Sequence, residues 1–164
     1  MGMSQKKIDM SVNLGGFKML TPIATASGTF GYGTEYTNFV DYSKLGAVTA
    51  KGVRLEPWPG NPMPRHAEVY GGLVNAIGLQ GTGVKHFVDV TVPLYEKIQL
   101  STFGKKTPLI VNIWGGSVEE YAEVARILSD AGKESIAAIE MNVSCPNVKS
   151  GGHTFGQDPA VLKE

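Results

Sequence analysis

This sequence has almost no cysteine and no excess of either positive or negative charge. Among 164 residues there is one cysteine, Cys145, which excludes an internal disulfide and a multi-thiolate metal site. Fifteen basic residues balance fifteen acidic ones, which removes the electrostatic case for nucleic acid or a membrane surface as the main partner. No apolar run approaches the length of a membrane span, and His66, His86 and His153 lack metal-ligand spacing. We therefore expect a cytoplasmic chain with no metal site, no nucleic-acid partner and no membrane partner.

Glycine, by contrast, is abundant and clustered. The chain has 21 glycines, and clusters of them follow apolar runs at residues 31–33, 71–72, 78–83, 115–116 and 151–152. This pattern is typical of loops in which backbones approach closely, rather than of a flexible linker. The clusters match neither a dinucleotide fingerprint nor a P-loop, since GTFGYG lacks the required spacing and the Lys-Ser/Thr ending.

Strand-like and helix-like segments alternate along the chain, after a first hairpin formed by Met10 to Leu14, a Gly15-Gly16 turn and Phe17 to Leu20. Such alternation is typical of a parallel sheet with crossover helices. The predicted strands or extended pieces are residues 23–26, 47–51, 73–77, 109–114 and 136–141, the last of them a buried core strand. The predicted helices are a short one within residues 32–42, one over 84–100 that contains Pro93, and one over 117–131.

Two helix starts carry capping signals. Ser117 with Glu120 forms a capping box, which predicts that both side chains satisfy backbone N–H groups, and Gly132 is a suitable stop. Asp158 followed by Pro159 predicts the start of another helix, yet no strand follows it. We therefore expect residues 1–164 to be a single domain, the N-terminal portion of a longer protein, with residues 1–7 disordered.

Polar residues fall where the predicted strands end, which is the face that carries function in parallel α/β barrels. They are Ser27, Gly28, Lys51, Asn75, Asn112, Asn142, Cys145 and Asn147. Several amides, one lysine and one thiol suit a flat polar heterocycle better than a phosphoryl chain. Each residue also has a structural interpretation: an inert buried cysteine, a lysine that reaches solvent, or asparagines that cap turns.

Several motifs in one order resemble the class 1 dihydroorotate dehydrogenases. They are ATASGTFGYG, TAKGV, NAIGLQ, VNIWG and MNVSCPNVKSGGHTFGQDP, and the resemblance runs from about Ile8 to the end. The last motif and NAIGLQ are most similar to the class 1B, NAD-linked catalytic subunits. The resemblance implies a TIM (β/α)8 barrel that binds FMN and oxidises dihydroorotate to orotate in pyrimidine synthesis. It also implies a homodimer and an FAD/iron-sulfur electron-transfer subunit that passes electrons to NAD.

The resemblance assigns roles to individual residues. Cys145 would be the general base that removes a proton from dihydroorotate, which requires surroundings that favour its thiolate. Lys51 would bridge flavin and substrate. The other flavin contacts would be Ala26, Ser27, Gly28, Asn112 and Asn142, and the other substrate contacts Asn75, Ala76, Ile77, Gly78, Leu79, Asn142 and Asn147.

One expectation about the chain itself and two alternative functions complete the sequence analysis. The chain contains the predicted base but not the second half of a barrel, where phosphate sites usually form, so we expect it to be inactive or marginally folded alone. It could belong to another FMN barrel that acts on reduced pyrimidines, such as the pyrimidine domain of dihydropyrimidine dehydrogenase. It could also be a non-catalytic fragment in which Cys145 is inert. The membrane-bound quinone-dependent class is disfavoured, because it carries Ser at the position of the base.

Overall fold

A computed structural model of the chain describes residues 8–104, 107–131, 133–143 and 155–163, without the side chain of residue 161. Its centre is a sheet of three parallel strands in the order β3, β6, β7. The strands are β3 (Val48–Val53), β6 (Leu109–Ile113) and β7 (Ile136–Met141), and consecutive pairs lie side by side. This confirms the predicted parallel sheet with crossover helices.

Two antiparallel hairpins flank the sheet. The first pairs β1 (Val12–Leu14) with β2 (Phe17–Met19), as predicted, and its turn has positive φ at both Gly15 (57°) and Gly16 (107°). A two-residue turn with this backbone matches the twist of the strands it joins. The second pairs β4 (His66–Val69) with β5 (Gly72–Asn75). Only β5 was expected, because β4 lies in a proline-rich stretch.

Three helical segments and two short 3-10 helices complete the described structure. Residues 84–103 form one helical run, α1, with α-helical pieces Val84–His86 and Val92–Ile98 and π-helical turns at Phe87–Thr91 and Gln99–Phe103. α2 is Val118–Asp130, and α3 is Pro159–Lys163, where the Asp158 carboxylate accepts a hydrogen bond from Ala160 N (2.9 Å) as a cap. Short 3-10 helices lie at Tyr42–Lys44 and Phe155–Gln157.

The main core lies between one face of the sheet and helices α1 and α2. Val48 and Ala50 of β3 pack there with Phe87 and Tyr95 of α1 and Leu128 of α2, all fully or almost fully buried. Side chains alternate between the two faces of a strand, so intervening residues point the other way. The buried cluster on that second face is Met19, Ala47 and Ile110, with Phe17 and Ala138 packed against it. Asn112 and Glu140, two residues beyond Ile110 and Ala138, share this second face.

The predicted strand at residues 23–26 is wrong in extent, because it reduces to a single parallel bridge between Ala24 and Ala47. The Thr25 hydroxyl takes the place of further ladder bonds: it accepts from Thr49 N (2.9 Å) and lies 3.5 Å from the Thr49 carbonyl. The helix predicted within residues 32–42 is also wrong, because turns occupy that segment. There the Glu35 carboxylate accepts from the backbone N–H groups of Tyr32 and Thr34.

Two further expectations need correction. β7 is partly exposed along its length, rather than a buried core strand, because no described strand pairs with its outer edge. In the capping box, Ser117 Oγ accepts from Glu120 N (3.3 Å) as predicted. The Glu120 carboxylate, however, accepts from Gly116 N (2.8 Å) and pairs with Arg54 rather than returning to Ser117 N. The predicted stop, Gly132, and residues 1–7 lie outside the described residues.

Candidate functional site

A pocket of about 210 Å³, lined by several polar side chains, lies at the carboxyl end of the parallel strands. Residues from five separate segments meet there, because the ends of parallel strands lie on one edge of the sheet. Its lining consists of Ser27, Gly28, Lys51, Gly52, Asn75, Ile77, Gly78, Leu79, Asn112 and Asn142. Most of the residues singled out from the sequence therefore line one cavity.

Two of the singled-out residues that the structure describes, Ala26 and Ala76, are not part of this lining. The Ala26 carbonyl accepts from the Thr29 hydroxyl (2.8 Å), within its own turn. Ala76 is bound to the β4 side of the hairpin, since its N–H donates to the Arg65 carbonyl (2.9 Å). Cys145 and Asn147 lie outside the described residues.

Lys51 is the one charged side chain among the described residues that line the pocket. It lies inside β3 rather than at its end, since Gly52 and Val53 complete the strand. Burial lowers the pKa of Lys51 below its usual value, and the nearby positive charge of Arg65 lowers it further, against a smaller opposing effect of Glu35. A lysine in this setting loses its proton more readily than one in water, and its charge is available to an anion in the pocket.

Asn112 is held in one orientation. Its side chain is buried at 4 % exposure, and its Nδ2 donates to Glu140 Oε1 at 2.6 Å. Because a carboxylate only accepts hydrogen bonds, the amide nitrogen faces Glu140 and the amide oxygen faces the other way. A Cβ on Gly52 would lie 3.0 Å from that oxygen, so the close approach of β3 to Asn112 favours glycine at position 52.

Asn142 follows β7 directly and is anchored through its backbone. Its N–H donates to the Ile113 carbonyl (2.9 Å), and its carbonyl accepts a short hydrogen bond from the Tyr121 hydroxyl of α2. Both bonds involve the backbone of Asn142, so they fix the position from which its side chain extends. A strand and a helix together thus position this residue at the pocket.

The turn at Gly78 and Leu79 forms another wall of the pocket. Both residues have left-handed backbone, with φ of 76° and 58°. Glycine adopts this conformation freely, whereas for leucine it costs about 1–2 kcal/mol. Neighbouring groups hold the turn: Trp58 Nε1 donates to the Gly78 carbonyl and Asn61 N to the Ile77 carbonyl, both at 2.9 Å.

Comparison with known proteins decides the family. The family model described as Dihydroorotate dehydrogenase matches residues 9–164, almost the whole chain. The chain belongs to the dihydroorotate dehydrogenase family. Proteins named Dihydroorotate dehydrogenase B (NAD(+)), catalytic subunit, are similar to it. The one from Alkaliphilus metalliredigens is 47% identical over 96% of this chain and 49% of its own length. The one from Pelobacter propionicus is 49% identical over 94% of this chain and 48% of its own length.

The predicted resemblance to class 1B catalytic subunits is thereby confirmed, and the chain spans about half the length of the curated relatives it matches. A crystal structure of DHODH from Eimeria tenella in complex with ferulenol has a similar fold. Its TM-score is 0.64 at 22% sequence identity, and the match covers 99% of this chain and 45% of that one. At this identity the likeness supports the fold alone.

Two residues of this dihydroorotate dehydrogenase family chain were missed by the sequence reasoning. Glu140 orients Asn112, and Tyr121 anchors Asn142. For Glu140 the missing information was strand register, because it lies directly opposite Asn112 across β6 and β7 and the sequence pattern does not give that register. For Tyr121 the sequence holds no signal either, because its contact depends on how α2 packs on the sheet.

A larger groove of about 500 Å³ lies elsewhere, between α2, β7 and the 155–163 segment. Its lining is mainly apolar and includes Val118, Ala122, Met141, Phe155 and Leu162. It lacks the convergent amides of the smaller pocket, so we assign no chemistry to it. Within the described ranges, no group of His, Cys, Asp and Glu could hold a metal ion, and no helix is long and apolar enough to cross a membrane.

Proposed function

We propose that the chain forms the flavin- and substrate-facing part of an enzyme that oxidises dihydroorotate to orotate in pyrimidine synthesis. The observation that carries this proposal is the pocket itself, in which Lys51, three asparagines and the Gly78–Leu79 turn converge. Family membership supports the same reaction.

The residues present fit FMN as the cofactor. Asn112, oriented by Glu140, presents an amide oxygen, and Gly28 leaves open space, since a Cβ there would meet nothing within 4 Å. We propose that Ala26, Ser27, Gly28, Lys51, Asn112 and Asn142 hold the flavin. For Ala26, which does not line the pocket, the contact would be through its backbone. The chemistry that FMN supplies when bound is acceptance of a hydride.

We propose that Lys51 binds and stabilises negative charge between the flavin and the substrate. Its neighbours in the lining are neutral, and burial has already removed part of its hydration. A preorganised cation in such a site stabilises developing negative charge more than it would in water. This explains why a lysine would be kept in a pocket that lowers its pKa.

For the substrate, Asn75 and Asn142 offer amide donors and acceptors to the imide edge of the ring, together with Asn147. Backbone N–H groups of the 77–79 turn would bind the carboxylate. Cys145 would remove the proton from C5 as the hydride leaves C6. It follows Asn142 by three residues in the sequence, and Asn142 lines the pocket.

The relatives named as catalytic subunits suggest the partners. We propose a homodimer in which the described sheet is part of an eight-stranded barrel. A second subunit carrying FAD and an iron-sulfur centre would pass electrons to NAD in the cytoplasm.

The test is anaerobic mixing of the complete FMN-loaded protein with dihydroorotate, followed by flavin absorbance. We expect rapid bleaching with dihydroorotate and none with dihydrouracil, because only the former has the carboxylate that the turn would bind. Cys145→Ala should slow bleaching by roughly 10²- to 10⁴-fold, the usual contribution of a general base. Bleaching by dihydrouracil alone would instead favour the other class of reduced pyrimidine. An unchanged rate in Cys145→Ala would remove this residue as the base.

A further inference from the structure

Arg54 lies between two tryptophans and a glutamate, next to the pocket but outside its lining. Its guanidinium carbon is 4.9 Å from the ring centroid of Trp58 and 4.7 Å from that of Trp114. Its Nε and NH2 donate to the two carboxylate oxygens of Glu120 at 2.7 and 2.9 Å. Both charged side chains are largely buried, at 20% and 14% exposure. We call these four residues the Arg54 cluster.

The Arg54 cluster is rigid for geometric reasons. A two-pronged arginine–carboxylate pair fixes the plane of the guanidinium, and a planar cation held against aromatic rings limits how those rings can turn. Glu120 is itself fixed at the start of α2, where it accepts from Gly116 N (2.8 Å). The Trp58 and Trp114 rings also meet edge to face, with centroids 6.0 Å apart. Contacts with Arg54 and with Trp114 therefore both restrict the orientation of the Trp58 indole.

Trp58 connects the Arg54 cluster to the wall of the pocket through hydrogen bonds. Its backbone forms a two-way bridge with Gly81, N–H to carbonyl in both directions at 2.9 Å. Its indole N–H donates to the Gly78 carbonyl, also at 2.9 Å. One residue thus binds both ends of the short segment from Gly78 to Gly81.

The bond to the Gly78 carbonyl also fixes a neighbouring donor. In a trans peptide the carbonyl of one residue and the N–H of the next point in opposite directions. Holding the Gly78 carbonyl on Trp58 therefore turns the Leu79 N–H away from Trp58. Leu79 lines the site pocket whereas Trp58 does not. Left-handed backbone at Leu79 (φ 58°) is a strained state that persists only where its surroundings impose it.

We propose that Trp58, oriented by Arg54, is the positioning residue that aims the Leu79 amide at the carboxylate of the substrate. This inference rests on the proposed function, because it concerns how the same pocket recognises an anionic substrate. It assigns part of the preference for a carboxylate substrate to the Arg54 cluster, whose residues do not line the pocket. Trp58 itself would not contact the reacting atoms.

The test compares dihydroorotate with its uncharged methyl ester in the complete FMN-loaded protein. Trp58→Phe keeps a ring against Arg54 but removes the N–H donor. We expect it to raise KM for dihydroorotate by about fivefold to tenfold at nearly constant kcat, the effect of one lost positioning hydrogen bond. KM for the ester should change little, so the preference for the acid falls. Arg54→Lys, which cannot form the fork, should give a smaller change in the same direction.

Two further measurements separate positioning from general damage. The dissociation constant of orotate, measured by calorimetry, should rise in Trp58→Phe by the same factor as KM, whereas flavin content should not change. Tyr70→Phe is the control, because it also removes a polar atom from an aromatic side chain, at a fully exposed position outside the Arg54 cluster and outside the described lining of the pocket. It should leave the preference for the acid within about twofold.

The possible failures are distinguishable. If the parent protein neither binds orotate nor oxidises dihydroorotate, the proposed function fails and this inference fails with it. If the parent does both and Trp58→Phe keeps the full preference for the acid, only the positioning role is overturned. Equal losses for acid and ester in both Trp58→Phe and Arg54→Lys would also overturn it, because they would show a general structural role.

Discussion

At the scale of single residues, Lys51 stands out because it is charged in an otherwise neutral lining. Placing an ammonium group where burial lowers its pKa is unfavourable unless an anion is to be bound there. The surrounding amides can bind a heterocycle without any charge. The lysine is therefore best explained by negative charge that appears in the pocket when substrate binds or reacts.

This explanation predicts that Lys51→Gln lowers kcat/KM for dihydroorotate by roughly 10²- to 10³-fold, the usual cost of losing one preorganised charge-stabilising group. The pH profile gives a second readout. Because the folded-state pKa of Lys51 is lowered, kcat/KM should fall on the alkaline side at a pH below the ordinary lysine value of 10.5, and Lys51→Gln should lack this decline. Lys85→Gln is the control, since Lys85 is 89% exposed and pairs with Asp89. An alkaline decline that persists in Lys51→Gln would contradict the assignment.

Which residues reach the pocket could largely be predicted, whereas what holds them could not. Strand ends in a parallel sheet meet at one edge, so Lys51, Asn112 and Asn142 were foreseeable from chain position alone. Glu140 and Arg54 act through partners that are distant in sequence, and such pairings depend on strand register and helix packing. Neither strand register nor helix packing can be inferred from local sequence patterns.

At the scale of elements, side-chain hydrogen bonds explain where the sequence-based prediction failed. Residues 23–26 have the composition of a strand, but the Thr25 hydroxyl bonds to Thr49 N and replaces part of the ladder. Glu120 satisfies the capping pattern in sequence, yet its carboxylate is drawn to Arg54, a stronger partner than a backbone N–H. The long α1, the cap at Ser117 and the extent of β7, though not its burial, were predicted correctly, because local periodicity and capping suffice for them.

The docking of α1 on the sheet gives a prediction at this scale. The buried Tyr95 hydroxyl of α1 donates to the Thr107 carbonyl (2.8 Å), just before β6, and burial raises the pKa of Tyr95. Tyr95→Phe leaves that carbonyl without its donor, so we expect the free energy of unfolding to fall by about 1–3 kcal/mol. Tyr70→Phe, at a fully exposed position, should have no measurable effect. Denaturant unfolding of both variants checks this, and equal stabilities would show that the bond contributes nothing.

At the scale of the whole molecule, the described structure leaves apolar surface and backbone uncovered on one side. β7 is exposed or partly exposed along its length, and Met141 at its end is 58% exposed. Beside it lies the apolar groove of about 500 Å³. An uncovered strand edge and a large apolar groove usually accept further structure. In a barrel, that structure would be the next strand and helix.

The chain alone should therefore be marginally stable and inactive, even with saturating FMN. Co-expression with the C-terminal half of the Pelobacter propionicus relative should raise its Tm, bring bound flavin absorbance and allow oxidation of dihydroorotate. The physical reason is that a second half would cover the edge of β7, fill the groove and supply the flavin phosphate site that barrels usually form from their last loops.

Met141→Glu, at the end of β7, should weaken this complementation, because it would bury a carboxylate without a partner where the two halves meet. Glu134→Gln, on an exposed residue before β7, serves as its control. Full activity of the 164 residues by themselves would contradict the prediction, and would mean that the sheet described here supports catalysis without further covering.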